Sequence, residues 1–235
     1  MPHKPVAVVV AMRREVAPLL RGVRAQKADG VEFFELESAV VAVGGIGRAA
    51  ARRATQAVVT KYAPGAIVSA GIAGALSPVL KVGDIVYSRG AVDAVTGKVY
   101  SAGGDALVVT VSSVNGLVEK KIIAERWKFA DVVDMEAAAV AEVAEDRGIW
   151  FVAIKAISDE LDFEMPPVGQ FVDASGRFET LRFATHIAVR PMWWSAVRQL
   201  SLNSKTASVK LSENLRHLID QESKAVSEGN SVGAL

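Results

Sequence analysis

The sequence predicts a single α/β domain, a mixed central β-sheet flanked by helices, and three observations carry that expectation. Short apolar runs at residues 5–11, 31–43, 66–70 and 149–157 alternate with stretches of helical periodicity at 48–61, 115–128 and 136–147. The run 149–157 shows little alternation of apolar and polar residues, as expected of a strand covered on both faces. Glycine-rich turns follow strand ends at Gly44-Gly45-Ile46-Gly47 and Gly71-Ile72-Ala73-Gly74. A chain of 235 residues is long enough for one sizeable core, and no internal repeat or linker divides it. Residues 1–222 read as that domain and residues 223–235, small and polar, as a flexible tail.

Taken in order, residues 5–11 (PVAVVVA) form a strand, and a helix over 14–21 places Glu15 just beyond its end. A glutamate there also suits the first turn of any helix, where the dipole favours it. Residues 31–37 and 38–43 give two further strands, the second leading through the first glycine turn into a helix over 48–61. Strand, glycine turn and helix N-terminus make an anion or ribose site conceivable. Gly45, Gly47 and Ala50 even satisfy a loose dinucleotide fingerprint. However, the next strand ends in Ser69-Ala70-Gly71, with no acid to take a ribose hydroxyl, and the motif does not follow the first strand. A tight turn allowing close helix–sheet packing is the better reading. Strands at 85–86, 97–100 and 107–114 come next, then an amphipathic helix over 115–128 with Leu117, Ile122 and Trp127 facing inward.

The stretch 132–162, VVDMEAAAVAEVAEDRGIWFVAIKAISDELD, organises the rest. It reads as strand, carboxylate, helix, strand, carboxylate, with the helix closing at Arg147-Gly148. So short a crossover predicts neighbouring parallel strands. Glu136 and Ser158-Asp159 then follow their carboxyl ends, the edge where open parallel sheets bind ligands. Singly, Glu136 is an ordinary helix-start charge and Asp159 an ordinary turn residue. Together they face one cleft. Beyond Asp162, the Met165-Pro166-Pro167 segment forms a loop near that cleft, and helices at 178–189 and 193–222 are broken at Arg190-Pro191. Met192-Trp193-Trp194 reads as packing or an oligomer contact.

Composition excludes several function classes. Zero cysteines rule out disulfides and thiolate chemistry, and three scattered histidines argue against a histidine metal site. A net charge of +1 gives no reason to expect a nucleic-acid partner. No apolar run is long enough for stable insertion in a membrane, and the start shows no signal-peptide pattern, so the expectation is a cytoplasmic protein.

Six short motifs, in order, carry a family likeness: Ala11-Met12-Arg13-Arg14-Glu15-Val16, Gly45-Ile46-Gly47, Ser69-Ala70-Gly71-Ile72-Ala73-Gly74, Val82-Gly83-Asp84-Ile85-Val86, Met135-Glu136-Ala137 and Ala156-Ile157-Ser158-Asp159. With them the chain resembles the nucleoside phosphorylase/nucleosidase superfamily, especially bacterial 5'-methylthioadenosine/S-adenosylhomocysteine nucleosidases. The later segment, with Asp162, Pro166-Pro167, Arg190-Pro191, Arg198 and Asn203-Ser204, is similar to members linked to hopanoid synthesis, which act on an adenosyl lipid.

The resemblance implies a three-layer α/β/α domain that cleaves the N-glycosidic bond of a purine nucleoside, with adenine as the expected base and water ahead of phosphate as nucleophile. Met135 and Glu136 would hold the ribose, Ser158 and Asp159 would face the base, and Glu15 would sit beside the attacking water. Met12, Gly71 and Ile72 would line the substrate site, and Lys155 stands where the family has an arginine near the nucleophile. Asp159, expected in an apolar strand-end setting, would protonate or hydrogen-bond the base at N7. No metal or organic cofactor is implied, only inorganic phosphate as co-substrate if the reaction is phosphorolytic, with Arg13, Arg48 or Arg52 as its ligands. The small-molecule nucleoside is the expected partner, and a homodimer or larger homo-oligomer the expected assembly. The sequence departs from the family at Ser112-Ser113-Val114-Asn115-Gly116, where the nucleosidases carry Ser-Gly-Asp and an aromatic base-binding loop, and at Ile72, where the family has serine.

Overall fold

The computed structural model describes residues 4–113 and 116–227. Ten strands form one sheet among these residues: β1 (Val6–Val10), β2 (Ala25–Ala28), β3 (Val31–Glu35), β4 (Ala39–Val43), β5 (Ala66–Ala75), β6 (Ile85–Asp93), β7 (Val99–Ser101), β8 (Ala106–Thr110), β9 (Val132–Asp134) and β10 (Trp150–Asp159). Five helices accompany them: α1 (Arg48–Tyr62), α2 (Leu117–Arg126), α3 (Ala137–Asp146), α4 (Thr180–Ala188) and α5 (Trp194–Ser227).

Strand β5 is the pivot. Its first half pairs with β1 on one edge, and β10 runs parallel to it along the other from Ala66 to Gly74. Where β1 leaves, β9 takes its place, pairing antiparallel at Gly74 and Ala75. Pairings β10–β6, β6–β8 and β8–β9 then bring the sheet round on itself, while β1, β4, β3 and β2 continue as an open wing. Closure removes exposed edges, and here it makes a pocket at the carboxyl half of β5.

Two expectations are corrected here. Strands β9 and β10 are neither neighbours nor parallel: β5 lies between them, antiparallel to one and parallel to the other. A short crossover usually yields adjacent parallel strands, but the ring closure inserts a third strand. Ile122 is exposed, and α2 turns Lys120, Ile123 and Ala124 toward the protein instead, with Trp127 half-buried beside them.

Element ends also moved. The helix expected over 14–21 is a single 3-10 turn at Arg13–Val16 followed by further turns, and the exposed strand β2 (AQKA) has no apolar alternation that could have announced it. Strand β5 continues through its glycines to Ala75, and α5 runs through Ser227, beyond Glu222. Residues 228–235 of the expected tail lie outside the described residues, as do residues 1–3 and Val114-Asn115.

Small residues allow the layers to close. In α3 every residue from Ala137 to Val143 except Glu142 is buried, and α1 buries Ala51, Ala54, Val58 and Val59 against the same face of the sheet. The opposite face is covered by α5 through Ala207, Leu211, Leu215 and Leu218. Removing a fully buried leucine such as Leu215 costs about 2–5 kcal/mol, so α5 holds the domain together and is not an appendage. No described helix is long and apolar enough to cross a membrane.

Candidate active site

Four chain segments converge where β5 exchanges β1 for β9. The turn after β1 supplies Met12 and Glu15, the turn after β4 supplies Gly47, the β9–α3 junction supplies Asp134, Met135 and Glu136, and the end of β10 supplies Lys155, Ser158 and Asp159. A cavity of about 740 Å³ opens there, lined by Met12, Glu15, Ile72, Met135, Glu136, Ser158 and Asp159 among others. Its size suits a small organic ligand. Of the expected site residues, Lys155 and Gly71 do not line it. They lie behind it, and a side chain built on Gly71 would stand 3.6 Å from Glu15 Oε1 and 3.7 Å from Lys155 Nζ.

Glu15 and Glu136 are held by backbone amides. The Met12 amide donates to Glu15 Oε2 at 2.9 Å, and burial pushes the Glu15 carboxyl above its ordinary value, only partly offset by that amide and by Lys155. Gly47 takes φ 92°, ψ 167°, a conformation open to glycine, and so aims its N–H at Glu136 Oε1 over 2.7 Å. The Met135 amide approaches the other Glu136 oxygen at 3.3 Å. Part of Glu136 opens to the cavity, yet burial, the neighbouring Asp134 and Glu15 raise its pKa to about 7, with Lys155 and the Gly47 amide pulling the other way.

Lys155 is the counter-charge. Its Nζ donates to Asp134 Oδ2 at 2.8 Å and to Ser69 Oγ at 3.2 Å, fully enclosed. Burial alone would lower its pKa, but Asp134, Glu136 and Glu15 outweigh that and hold the ammonium above its ordinary value. Asp134 is in turn fixed by the Thr110 hydroxyl at 2.6 Å and the Ala137 amide at 2.8 Å.

Asp159 differs from expectation. Its setting is not apolar, because Lys120 of α2 lies against it. Lys120 Nζ pairs with Asp159 Oδ2 and donates to the carbonyls of Asp159 at 3.3 Å and Glu160 at 2.8 Å. The Ser158 hydroxyl donates to Asp159 Oδ1 at 2.6 Å. The Lys120 ammonium and the Asp159 carboxylate thus form an ion pair enclosed by the protein.

Lys120 and Asp134 are the residues sequence reasoning missed. Lys120 sits in a run, Glu119-Lys120-Lys121, that looks like a solvated helix face. Asp134 carried a readable signal, since an aspartate whose side chain meets the amide three residues on is a helix-start pattern.

The arginines suggested for phosphate are engaged elsewhere. Arg48 pairs with Asp93, Arg52 with Glu142, and Arg13 stacks over the Phe34 ring at 5.1 Å. None of the three lines the cavity, although Arg14 and Arg21 do. The glycine turn has no amides spare for a dinucleotide: Gly45 donates to Ala11 O, Ile46 to Gly176 O and Gly47 to Glu136. Among the described residues no group of three or more acidic, histidine or cysteine side chains is placed to hold a metal ion. Trp194 is half exposed, its indole N–H donating to Ile187 O at 3.0 Å, and it lies outside the cavity.

The arrangement can therefore set carboxylates against a cationic centre, take up a proton at Glu15, and offer hydrogen-bonding groups at Asp159. Comparison with known proteins agrees in fold. The Arabidopsis thaliana 5'-methylthioadenosine nucleosidase superposes with TM-score 0.73 at 17% identity, covering 94% of this chain and 97% of the other. A 5'-methylthioadenosine/S-adenosylhomocysteine nucleosidase from Colwellia psychrerythraea, solved with adenine, gives TM-score 0.71 at 20% identity over 93% and 96% of the two chains. In sequence, the enzyme of the same name from Shewanella sp. (strain MR-7) is 30% identical, over 68% of this chain and 86% of the relative. The family model described as the phosphorylase superfamily matches residues 5–107 and 105–183, and the chain belongs to that superfamily.

Proposed function

We propose that the protein hydrolyses the N-glycosidic bond of an adenine nucleoside, releasing free adenine and the sugar. The observation that carries this is the convergence of Glu15, Glu136 and Asp159 on one cavity, with Lys155 behind the first two. Breaking the bond leaves positive charge on the sugar and negative charge on the base. Glu136, oriented by the Gly47 amide, accepts hydrogen bonds from the ribose hydroxyls and favours the cationic sugar. Glu15 takes a proton from the attacking water, a task its raised pKa suits. Asp159 and Ser158 meet the base. Water rather than phosphate is supported by the arginines Arg13, Arg48 and Arg52 being committed away from the cavity.

The sugar side of the cavity further supports an apolar 5' substituent. The Ile46 amide donates to Gly176 O at 2.8 Å, so residues 173–177 pack beside the turn that orients Glu136. From there Phe178, Phe183, Val197 and Leu200 continue the wall. Substituents from methylthio to a lipid chain are compatible with that surface, as the likeness to adenosyl-lipid enzymes suggests. Self-association as a dimer or larger is supported by exposed apolar side chains such as Val79, Phe129 and Met192.

The test is incubation with adenosine and 5'-methylthioadenosine, with and without phosphate, followed by chromatography. Free adenine and free sugar should form without phosphate. A sugar phosphate formed only when phosphate is present would assign phosphorolysis instead, and no base release from any nucleoside would reject the reading.

A further inference from the structure

Resting on the nucleoside-cleaving reading, the geometry points to Lys120 as the group that delivers the proton to the departing base at N7, with Asp159 acting as the acceptor beside it. Lys120 is 1% exposed, yet it lines the cavity and carries its ammonium to the end of β10. A buried ammonium needs partners, and this one has two backbone carbonyls and Asp159 Oδ2. Its bond to the Asp159 carbonyl, at 3.3 Å, is the long one and the one a ligand atom can replace. Asp159 Oδ2 is the complementary feature, a buried carboxylate oxygen whose partner is that same ammonium, with lone-pair capacity left for a ligand donor.

A donor and an acceptor side by side match one edge of adenine, which presents N7 as acceptor and the N6 amino group as donor. Lys120 Nζ donates to N7, and the N6 amino group donates to Asp159 Oδ2 alongside the ammonium. The pair also has room made for it. A side chain built on Gly74 would stand 2.8 Å from Asp159 Oδ2 and 3.0 Å from Lys120 Cε, so only glycine at that strand position lets both groups reach the cavity.

The step balances. The C1'–N9 bond breaks, and its electron pair passes into the base. N7 takes a proton from Lys120, leaving a neutral amine and a neutral adenine. Water adds to C1', its proton goes to Glu15 and from there to solvent, and solvent restores the proton to Lys120.

Binding of adenine and of 7-deazaadenine, which lacks the N7 acceptor, is measured by calorimetry on wild type, Lys120→Met and Lys120→Gln. Wild type should prefer adenine by roughly 10- to 100-fold, the scale of one hydrogen bond to a charged donor. Lys120→Met should lose the preference, and Lys120→Gln, which keeps a neutral donor, should retain only part of it. With 5'-methylthioadenosine, Lys120→Met should lower kcat about 10²–10⁴-fold with a much smaller change in KM. Should Lys120→Met not fold, the wild-type and Lys120→Gln ratios decide. An N7 preference absent from wild type, or undiminished in the variants, would overturn the assignment while leaving adenine release intact. Wild type that neither binds adenine nor releases it would instead bring down the nucleoside-cleaving reading.

Discussion

Gly47 donates its backbone N–H to Glu136 Oε1 over 2.7 Å, joining the turn after β4 to the start of α3 across 89 residues of sequence. The carboxylate proposed to hold the sugar is thus oriented by a glycine whose φ of 92° has no side-chain-bearing equivalent at low cost. Gly47→Ala should destabilise the fold by about 1–3 kcal/mol, the cost of a side chain in that region, and raise KM by turning Glu136 away. Urea denaturation and steady-state kinetics on the variant check this. An unchanged KM would show that Glu136 does not depend on the turn.

Glu136 should also set a pH dependence. Its folded pKa of about 7 lies above its ordinary carboxylate value of 4.5, so between those values the native protein binds more protons than the unfolded chain. Stability from this group is complete at low pH and falls as pH rises through about 7. Glu136→Gln should flatten that part of the stability profile. Activity should run the opposite way, rising toward neutral pH as the carboxylate forms. Thermal melts and kcat/KM from pH 4.5 to 8 would show both, and a stability that climbs across this window in wild type would contradict the assignment.

Lys155→Met removes the only ammonium bonded to Asp134 among the described residues and leaves that carboxylate enclosed. Breaking a buried pair from one side costs about 3–5 kcal/mol. The urea midpoint should fall accordingly. A shift equivalent to under about 1 kcal/mol would place Lys155 in a wetter setting than its burial indicates.

Asp159→Asn should lower kcat about 10²–10⁴-fold while the protein stays folded, because the carboxylate holds Lys120 and, in the proposed reaction, meets the base. Circular dichroism would confirm folding. Full turnover in a folded variant would remove Asp159 from the mechanism.

The apolar wall predicts a response to the length of the 5' group. In a series of 5'-alkylthioadenosines, each methylene buried against Phe178, Phe183, Val197 or Leu200 is worth about 0.8 kcal/mol, or roughly fourfold in KM. A flat series would show the substituent pointing into solvent.

Much of this was legible in the sequence because the signals are local. Apolar runs fixed β1, β4, the start of β5 and β10, and the acids at strand ends marked one cavity through Glu15, Glu136 and Asp159. What was not legible depends on closure of the sheet. Nothing within residues 132–159 reveals that β5 will separate β9 from β10, because that depends on β6 and β8 completing the ring. Lys120 escaped for the same reason: on a mildly amphipathic helix a lysine looks solvated until tertiary packing carries it to the tip of β10. Strand β2 is polar and fully exposed, so pairing with β3, not composition, makes it a strand.

Hydrolysis of 5'-methylthioadenosine in water enriched with heavy oxygen, with phosphate absent, tests the central claim most directly. Mass spectrometry should find one heavy oxygen atom on the released sugar and none on adenine, and Glu15→Gln should suppress its formation together with adenine release. Adenine formed without incorporation of solvent oxygen, or undiminished in Glu15→Gln, would contradict the assignment of water and Glu15 as the attacking pair.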